Sequence, residues 1–193
     1  DIAEIGWVKP KGVPAKASIQ FEKIGSLSKS TVLFTSENAR LDGEYMLGVD
    51  SRLVSAVVRR AYLKDKADFG GDIARAQGGG LVVRLDGTYL DLSGIMSGLG
   101  PTGSTDTGNK TPLNINASLD ALTLRPGLDM RDAELTARTG AAGLSLFTAT
   151  GKADDGSPFS ATYDATVSDG ATVNITSGNA GFMAEAWIGA DFL

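Results

Sequence analysis

Cysteine and histidine are both absent from this chain of 193 residues. The absence of cysteine excludes disulfide bonds, thiol catalysis and thiolate zinc sites, and it is compatible with a bacterial periplasm. The absence of histidine removes the commonest metal ligand and the commonest general base. From these absences we predict no metal site, no cofactor and no catalytic residue.

Dense basic clusters and long apolar runs are missing as well. The net charge is −5, and the densest basic cluster is Arg59, Arg60, Lys64 and Lys66, interrupted by Asp65. Binding to a phosphate backbone requires a stronger concentration of Lys and Arg, so nucleic acid is not an expected partner. No apolar run approaches the length of a membrane span, and the first residues do not form a signal peptide. We expect both ends of the chain to be boundaries within a longer protein.

Glycine and alternating hydrophobic residues are abundant. The 25 glycines can supply the positive φ angles of tight turns. Apolar and polar residues alternate with a period of two in about ten segments of strand length. These segments are 18–22, 31–35, 40–47, 52–63, 72–76, 81–91, 113–120, 128–138, 144–149, 159–167 and 172–176. Because short turns separate them, they predict an all-β fold, a curled antiparallel sheet that forms a meander or groove.

Three segments depart from this alternation. Residues 92–99 predict a helical turn, and Asn179 can cap a short helix over 180–188 near the C-terminus, whose apolar side we expect to cover one end of the sheet. Residues 98–111 consist mainly of Gly, Ser and Thr and predict a flexible polar loop. Residues 1–193 as a whole are predicted to be a single β-groove segment.

A six-residue repeat occurs within two of the predicted strands. Residues 40–45 read RLDGEY, and residues 84–89 read RLDGTY. The repeat is either a coincidence or a repeated unit in which a bulge interrupts a strand, since Asp-Gly favours turns and bulges.

Several short motifs match catalytic patterns but lack the context that the chemistry needs. Residues 98–103 have the glycine spacing of dinucleotide sites, yet they open a polar loop instead of a helix. Residues 26–29 match S-x-x-K without the two further elements of penicillin-binding enzymes. Residues 154–156 lack the spaced ligands of a calcium loop, and Asp42 and Asp86 are explained as turn residues. We therefore expect that the chain is not an enzyme.

Several stretches follow, in order, a pattern known from one protein family. They are residues 6–15 (GWVKPKGVPA), residues 82–92 (VVRLDGTYLDL), the paired strands 112–124 and 128–137, and residues 179–183 (NAGFM). In order and coverage these stretches resemble the AsmA-like family of Gram-negative envelope proteins, in particular its YhdP branch. The resemblance extends over most of the chain.

The resemblance implies a long, curled antiparallel sheet with an apolar floor, within a protein that is anchored in the inner membrane and spans the periplasm. Members of this family are implicated in moving phospholipid toward the outer membrane and in its barrier function. The implied partners are phospholipid acyl chains and, through parts of the protein outside this chain, a membrane. Two features differ from the family's pattern: the N-terminal membrane anchor that the resemblance implies is expected to lie outside these residues, and the loop 98–111 is longer than the family's strand connections.

Shielding a lipid requires only an apolar lane, because each CH₂ removed from water contributes roughly 0.8 kcal/mol. Alternation within the strands predicts the residues that line this lane. They are Ile19, Phe21, Val83, Leu85, Leu113, Ile115, Leu119, Leu135, Leu146, Phe159 and Tyr163. The same residues also suit an ordinary sandwich core, and a slip of one residue would move any strand's set to the other face.

Two further functions are compatible with the sequence. One is a structural or protein-binding β-scaffold without a ligand, which predicts a filled core. The other is a carbohydrate-acting β-domain that uses Asp86.

Overall fold

The computed structural model describes residues 12–93, 111–140, 143–166 and 170–181, and their strands form one sheet. The eleven strands are β1 (Ala15–Ile24), β2 (Leu27–Ser36), β3 (Ala39–Leu47), β4 (Leu53–Leu63), β5 (Ala67–Arg75), β6 (Leu81–Asp91), β7 (Leu113–Arg125), β8 (Leu128–Gly140), β9 (Gly143–Lys152), β10 (Pro158–Asp164) and β11 (Thr172–Ser177). Their order in the sheet equals their order in the chain, and β1 and β11 form its two edges, so the sheet is open. The predicted all-β fold is confirmed.

One pair of neighbouring strands is parallel. β6 and β7 run in the same direction, with Leu81 beside Leu113, whereas every other neighbouring pair is antiparallel. The expectation of an uninterrupted antiparallel meander is therefore wrong at this position. A parallel connection must return along the length of a strand and needs about a dozen residues or more, which residues 92–112 provide. The predicted loop 98–111 belongs to this crossover and, except for Thr111, lies outside the described residues.

The predicted helices also lie largely outside the described part of the chain. Of residues 92–99 the structure describes only Leu92 and Ser93, and of the predicted C-terminal helix only Ala180 and Gly181 are described. Within the described ranges, no helix has both the length and the apolar character needed to cross a bilayer.

The strand register assigns each side chain to one of two faces, because directly opposed residues point to the same side of a sheet. One face carries large apolar side chains on all eleven strands, and we call it the apolar face; the other is the polar face. The large apolar side chains of the apolar face are Ile19, Phe21, Val32, Phe34, Leu41, Tyr45, Leu47, Leu53, Val58, Leu63, Phe69, Ile73, Leu81, Val83, Leu85, Leu90, Leu113, Ile115, Leu119, Leu122, Leu124, Leu128, Met130, Leu135, Leu144, Phe147, Phe159, Tyr163, Val173 and Ile175.

Register shifts lie side by side on neighbouring strands and form a line across the sheet, which we call the crease. They occur at Asp42–Gly43 opposite β4, between Val58 and Ala61 opposite β5, at Asp68–Phe69 opposite β6, and between Arg131 and Glu134 opposite β9. A β-bulge bends its strand and increases the local twist. Aligned bulges therefore curl the sheet along the crease.

Both Asp-Gly pairs of the six-residue repeat lie in the crease. A Cβ atom on Gly43 would approach the carbonyl oxygen of Val57 to 2.8 Å, and one on Gly87 would approach the Cβ of Phe69 to 2.6 Å. Only glycine lets the neighbouring backbone come this close without displacement. The interpretation of the repeat as a strand interrupted by a bulge is confirmed for residues 84–89, where Thr88 is the extra residue of β6. It is wrong for residues 40–45, because there the extra residue is Arg59 on the partner strand β4 and β3 itself continues without interruption.

The buried core lies on the apolar face of β7 to β10. Its buried members form one cluster, in which Leu122 and Met130 have no exposed surface. Across the crease the alternation is interrupted: Leu119 and Leu122 both belong to this core although they are three residues apart, as do Met130 and Ala133 on β8. The apolar face therefore continues across the crease, although the positions of the apolar residues in the sequence shift there by one residue.

Candidate functional site

Exposure of the apolar face differs greatly from one end of the sheet to the other. At the edge strand β1, Phe21 is 76% exposed and Ile19 is 55% exposed. On β5 and β6 the corresponding side chains, such as Ile73 and Val83, are half-buried. On β7 and β8, Leu122 and Met130 are completely buried. A hydrophobic guest could thus reach the apolar face at β1, but not at the centre of the core.

Ten of the eleven residues predicted for the lane share the apolar face. They fall into exposed, half-buried and buried groups along the sheet. The exposed residues are Ile19 and Phe21, the half-buried ones are Val83, Leu85, Leu113, Ile115 and Tyr163, and the buried ones are Leu119, Leu135 and Phe159.

Leu146 is the exception, and its place in the predicted set needs correction. It lies on the polar face, directly opposite Arg138 on β8 and Asp164 on β10. A register shift beside Arg138 places Leu144 and Phe147, three residues apart, together on the apolar face. Strict alternation from Leu144 therefore assigned Leu146 to the wrong side, as a one-residue irregularity always does.

Sequence reasoning missed the two largest fully buried side chains, Leu122 and Met130. A signal was present, because Leu122 alternates with Leu124 and Met130 with Leu128. On β7 the alternation of Leu122 and Leu124 is shifted by one residue relative to the alternation that ends at Leu119. Both sets lie on the same face only because the crease lies between them.

The polar face of β2 to β4 carries a ladder of alternating charges. The Nζ of Lys29 lies 2.7 Å from a carboxylate oxygen of Glu44, whose other oxygen lies 2.8 Å from Arg59. Arg59 also contacts Asp42 at 2.7 Å, and Asp42 lies 3.3 Å from Arg40. Each charge has neighbours of the opposite sign on an adjacent strand or two residues along its own, which is the arrangement that favours cross-strand pairing.

This ladder changes the proton affinities of its members. The guanidinium of Arg59, assisted by that of Arg40, holds the pKa of Asp42 below its usual range. Lys29 and Arg59 together lower the pKa of Glu44, and the two carboxylates raise the pKa of Arg59. Asp42, Glu44 and Arg59 therefore remain charged at neutral pH.

A separate ion pair lies at the end of β6. The Nζ of Lys66 lies 2.5 Å from an oxygen of Asp91, whose side chain is only 9% exposed. Burial by itself raises the pKa of Asp91, but the hydrogen bonds from Lys66 and Ser93 outweigh this effect, and the pKa is lowered. This pair anchors the last residue of β6 to the loop before β5, immediately ahead of the crossover.

A shallow depression of about 300 Å³ lies on the polar face near β1, away from the apolar face. It is lined by Ser18, Gln20, Thr31, Leu33, Asp42 and Arg59. In the part of the chain that the structure describes, no group of three or more Asp, Glu, His or Cys residues is placed to hold a metal ion. The geometry thus offers a large apolar surface and a charged surface on opposite sides of one sheet.

No protein-family model, curated protein or solved structure matches this chain.

Proposed function

We propose that this chain is a segment of an AsmA-like envelope protein and that its apolar face shields phospholipid acyl chains. In this proposal the whole protein spans the periplasm, is anchored in the inner membrane by parts outside this chain, and supports lipid transport to the outer membrane and the integrity of that membrane. The observation that carries the proposal is an apolar face that continues over eleven strands and is open at β1.

The length of the apolar face supports this function. Neighbouring strands lie about 4.8 Å apart, so the ten intervals between β1 and β11 extend about 48 Å along the curve of the sheet. Burial of an acyl chain there is non-directional and needs neither a nucleophile nor a metal ion. The strength of binding depends on how many CH₂ groups leave water, at roughly 0.8 kcal/mol each.

The chemistry of the opposite face agrees with the proposal. The ion pairs of Arg59, Arg60 and Arg84 with carboxylates all lie on the polar side, where their partners remain partly exposed. Such a surface stays hydrated, so a hydrophobic guest has one side of the sheet to bind. A sheet with these two faces can separate a lipid tail from water while remaining soluble itself.

A β-scaffold without a ligand is the second candidate, and the closed core favours it. Leu122 and Met130 have no exposed surface, so a guest cannot contact them. In this alternative the sheet spans a distance or binds a protein, and the exposed apolar residues of β1 serve that contact instead of a lipid.

Photo-crosslinking from the two faces of β1 distinguishes the candidates. Phe21 and Gln20 are adjacent and both exposed, but they point to opposite faces. We would introduce a photo-reactive amino acid at either position, add vesicles of phosphatidylethanolamine and phosphatidylglycerol, irradiate, and identify adducts by mass spectrometry. We expect phospholipid adducts from position 21 and few or none from position 20.

The matched substitutions Phe21→Glu and Gln20→Glu give an independent measurement. Because both side chains lie in water, neither change should alter the fold, which circular dichroism would check. We expect Phe21→Glu, but not Gln20→Glu, to reduce the phospholipid that copurifies with the protein in native mass spectrometry. Equal adducts from both faces, or no lipid on the wild-type chain, would refute the acyl-shielding proposal and favour the scaffold.

A further inference from the structure

The outer edge of β1 is open to a further strand. β1 pairs with β2 along its whole length, and in the described sheet nothing pairs with its other side. All ten residues of β1 are exposed. The strand has no proline and no bulge. Since an exposed, regular edge strand presents a row of unpaired backbone groups, it is a template for strand addition.

The side chains of β1 complement a second copy of β1 that runs in the opposite direction. With Ile19 opposite the same residue of the second copy, Lys16 faces Glu22 of that copy, and Ala17 faces its Phe21. Two-fold symmetry repeats both contacts. Opposite charges therefore meet on the polar face, while a small residue meets a large one on the apolar face.

The charge ladder of the polar face leads to this edge. Glu22 lies directly opposite Lys29, which pairs with Glu44, which in turn pairs with Arg59. Neither Lys16 nor Glu22 forms an ion pair with another described residue. The second copy's Lys16 would stand beside Glu22 and continue the alternation of signs by one step across the edge.

The other edge of the sheet offers no such match. β11 has six residues, Thr172–Ser177, and none of them is charged. A head-to-tail contact between β1 and β11 of another copy would leave Lys16 and Glu22 without partners on the added strand. Charge complementarity thus selects β1 as the partner of β1.

We propose that two copies of this chain associate through antiparallel pairing of their β1 strands about a two-fold axis at Ile19. The two eleven-stranded sheets then form one sheet. Their apolar faces lie on the same side, because directly opposed residues point in the same direction. Phe21 and Ile19, the most accessible apolar residues of β1, come to lie at the centre of the joined face.

A charge-swap series tests this pairing in the complete chain. Lys16→Glu places two carboxylates opposite each other twice per dimer, and Glu22→Lys does the same with two ammonium groups. We expect each single variant to raise the dimer dissociation constant about tenfold in sedimentation equilibrium, since like charges directly opposite destabilise strand pairing. The double variant Lys16→Glu/Glu22→Lys restores both pairs and should return the constant to the wild-type value.

Disulfide trapping tests the position of the axis. The chain has no cysteine, so Ile19→Cys introduces a single thiol. Opposed Cβ atoms in antiparallel strands lie about 4.5–5.5 Å apart, close enough for a disulfide after a small adjustment. We expect Ile19→Cys to form a covalent dimer under mild oxidation at concentrations that leave Val49→Cys monomeric, although Val49 is 86% exposed.

Three outcomes would overturn the proposal. The first is a wild-type chain that stays monomeric at all concentrations, and the second is a double charge swap that does not restore association. The third is assembly beyond the dimer, which head-to-tail pairing would produce. Circular dichroism of each variant separates loss of pairing from loss of folding, because the substituted side chains are exposed in the single chain.

Discussion

The two halves of this sheet follow the same alternation of side chains but are stabilised differently. In β1 to β6 the ion pairs dominate: eight of the ten in the described residues lie there. In β7 to β10 the hydrophobic cluster dominates, and all of its buried members belong to those four strands. The apolar face is thus accessible at β1 in the N-terminal half, whereas in the C-terminal half it forms the buried core of β7 to β10.

This difference shows how one sheet can be both stable and accessible. Exposed ion pairs each contribute little, because water and salt screen them. Burial of large side chains contributes far more, so we place most of the free energy of unfolding in β7 to β10. The core can then support an N-terminal half whose apolar face is exposed at β1, and that open edge is the part our proposals use.

Truncation of a core side chain should lower the free energy of unfolding more than any other change. Leu122 is completely buried, so Leu122→Ala leaves a cavity and should lower the free energy of unfolding by about 2–5 kcal/mol, measured by chemical denaturation. The control is Leu33→Ala, the same substitution at a residue of β2 that is 40% exposed on the polar face, where we expect less than about 1 kcal/mol. Similar losses at both positions would refute the proposed difference between the halves.

A side chain larger than glycine in the crease should lower the free energy of unfolding by an intermediate amount. In Gly87→Ala the new Cβ would lie 2.5 Å from the Cα of Phe69, which forces β5 and β6 apart. We expect a loss of about 1–3 kcal/mol, as for an overpacked site. Gly78→Ala is the matched control, because a Cβ there meets nothing within 4 Å. If both variants unfold at the same denaturant concentration, the close approach at the crease has no energetic importance.

Breaking the Lys66–Asp91 pair should have the smallest effect, and it should depend on pH. Asp91→Asn should lower the free energy of unfolding at pH 7 by about 1 kcal/mol, a low value for a charged hydrogen bond because Lys66 is 39% exposed. The pKa of Asp91 is lowered in the folded chain, so its contribution is complete above the unfolded pKa of about 3.9. It is lost as the pH falls through the lower, folded value.

Denaturation of wild type and Asp91→Asn across this acid range checks the pH dependence. The two stability curves should converge once the pH falls below the lowered pKa of Asp91 in the folded chain, where both side chains are neutral. Asp72→Asn serves as the control, since Asp72 is 46% exposed and its partner Arg84 lies 3.1 Å away. A difference that persists unchanged in acid would show that Asp91 acts through packing and not through its charge.

Much of the site was predictable because alternation is a local property. The pattern of Val83, Leu85, Leu113 and Ile115 specifies a common face within each strand before any partner is known. The Asp-Gly repeat likewise marked two positions of the crease, since its glycines are needed where neighbouring backbone approaches closely, although only the second copy contains the bulged residue itself. Leu146 was misplaced because the shift that reverses its side arises from the pairing of β8 with β9.

Composition and periodicity alone determined that the chain is all-β, that its strands are two-faced and that its turns are rich in glycine. Only the tertiary structure decided that β6 and β7 are parallel, that the bulges align into a crease, and which half of the apolar face is closed. The physical reason is the range of the interactions: side-chain alternation is set within one strand, whereas register, strand direction and curl depend on hydrogen bonds between strands distant in the chain.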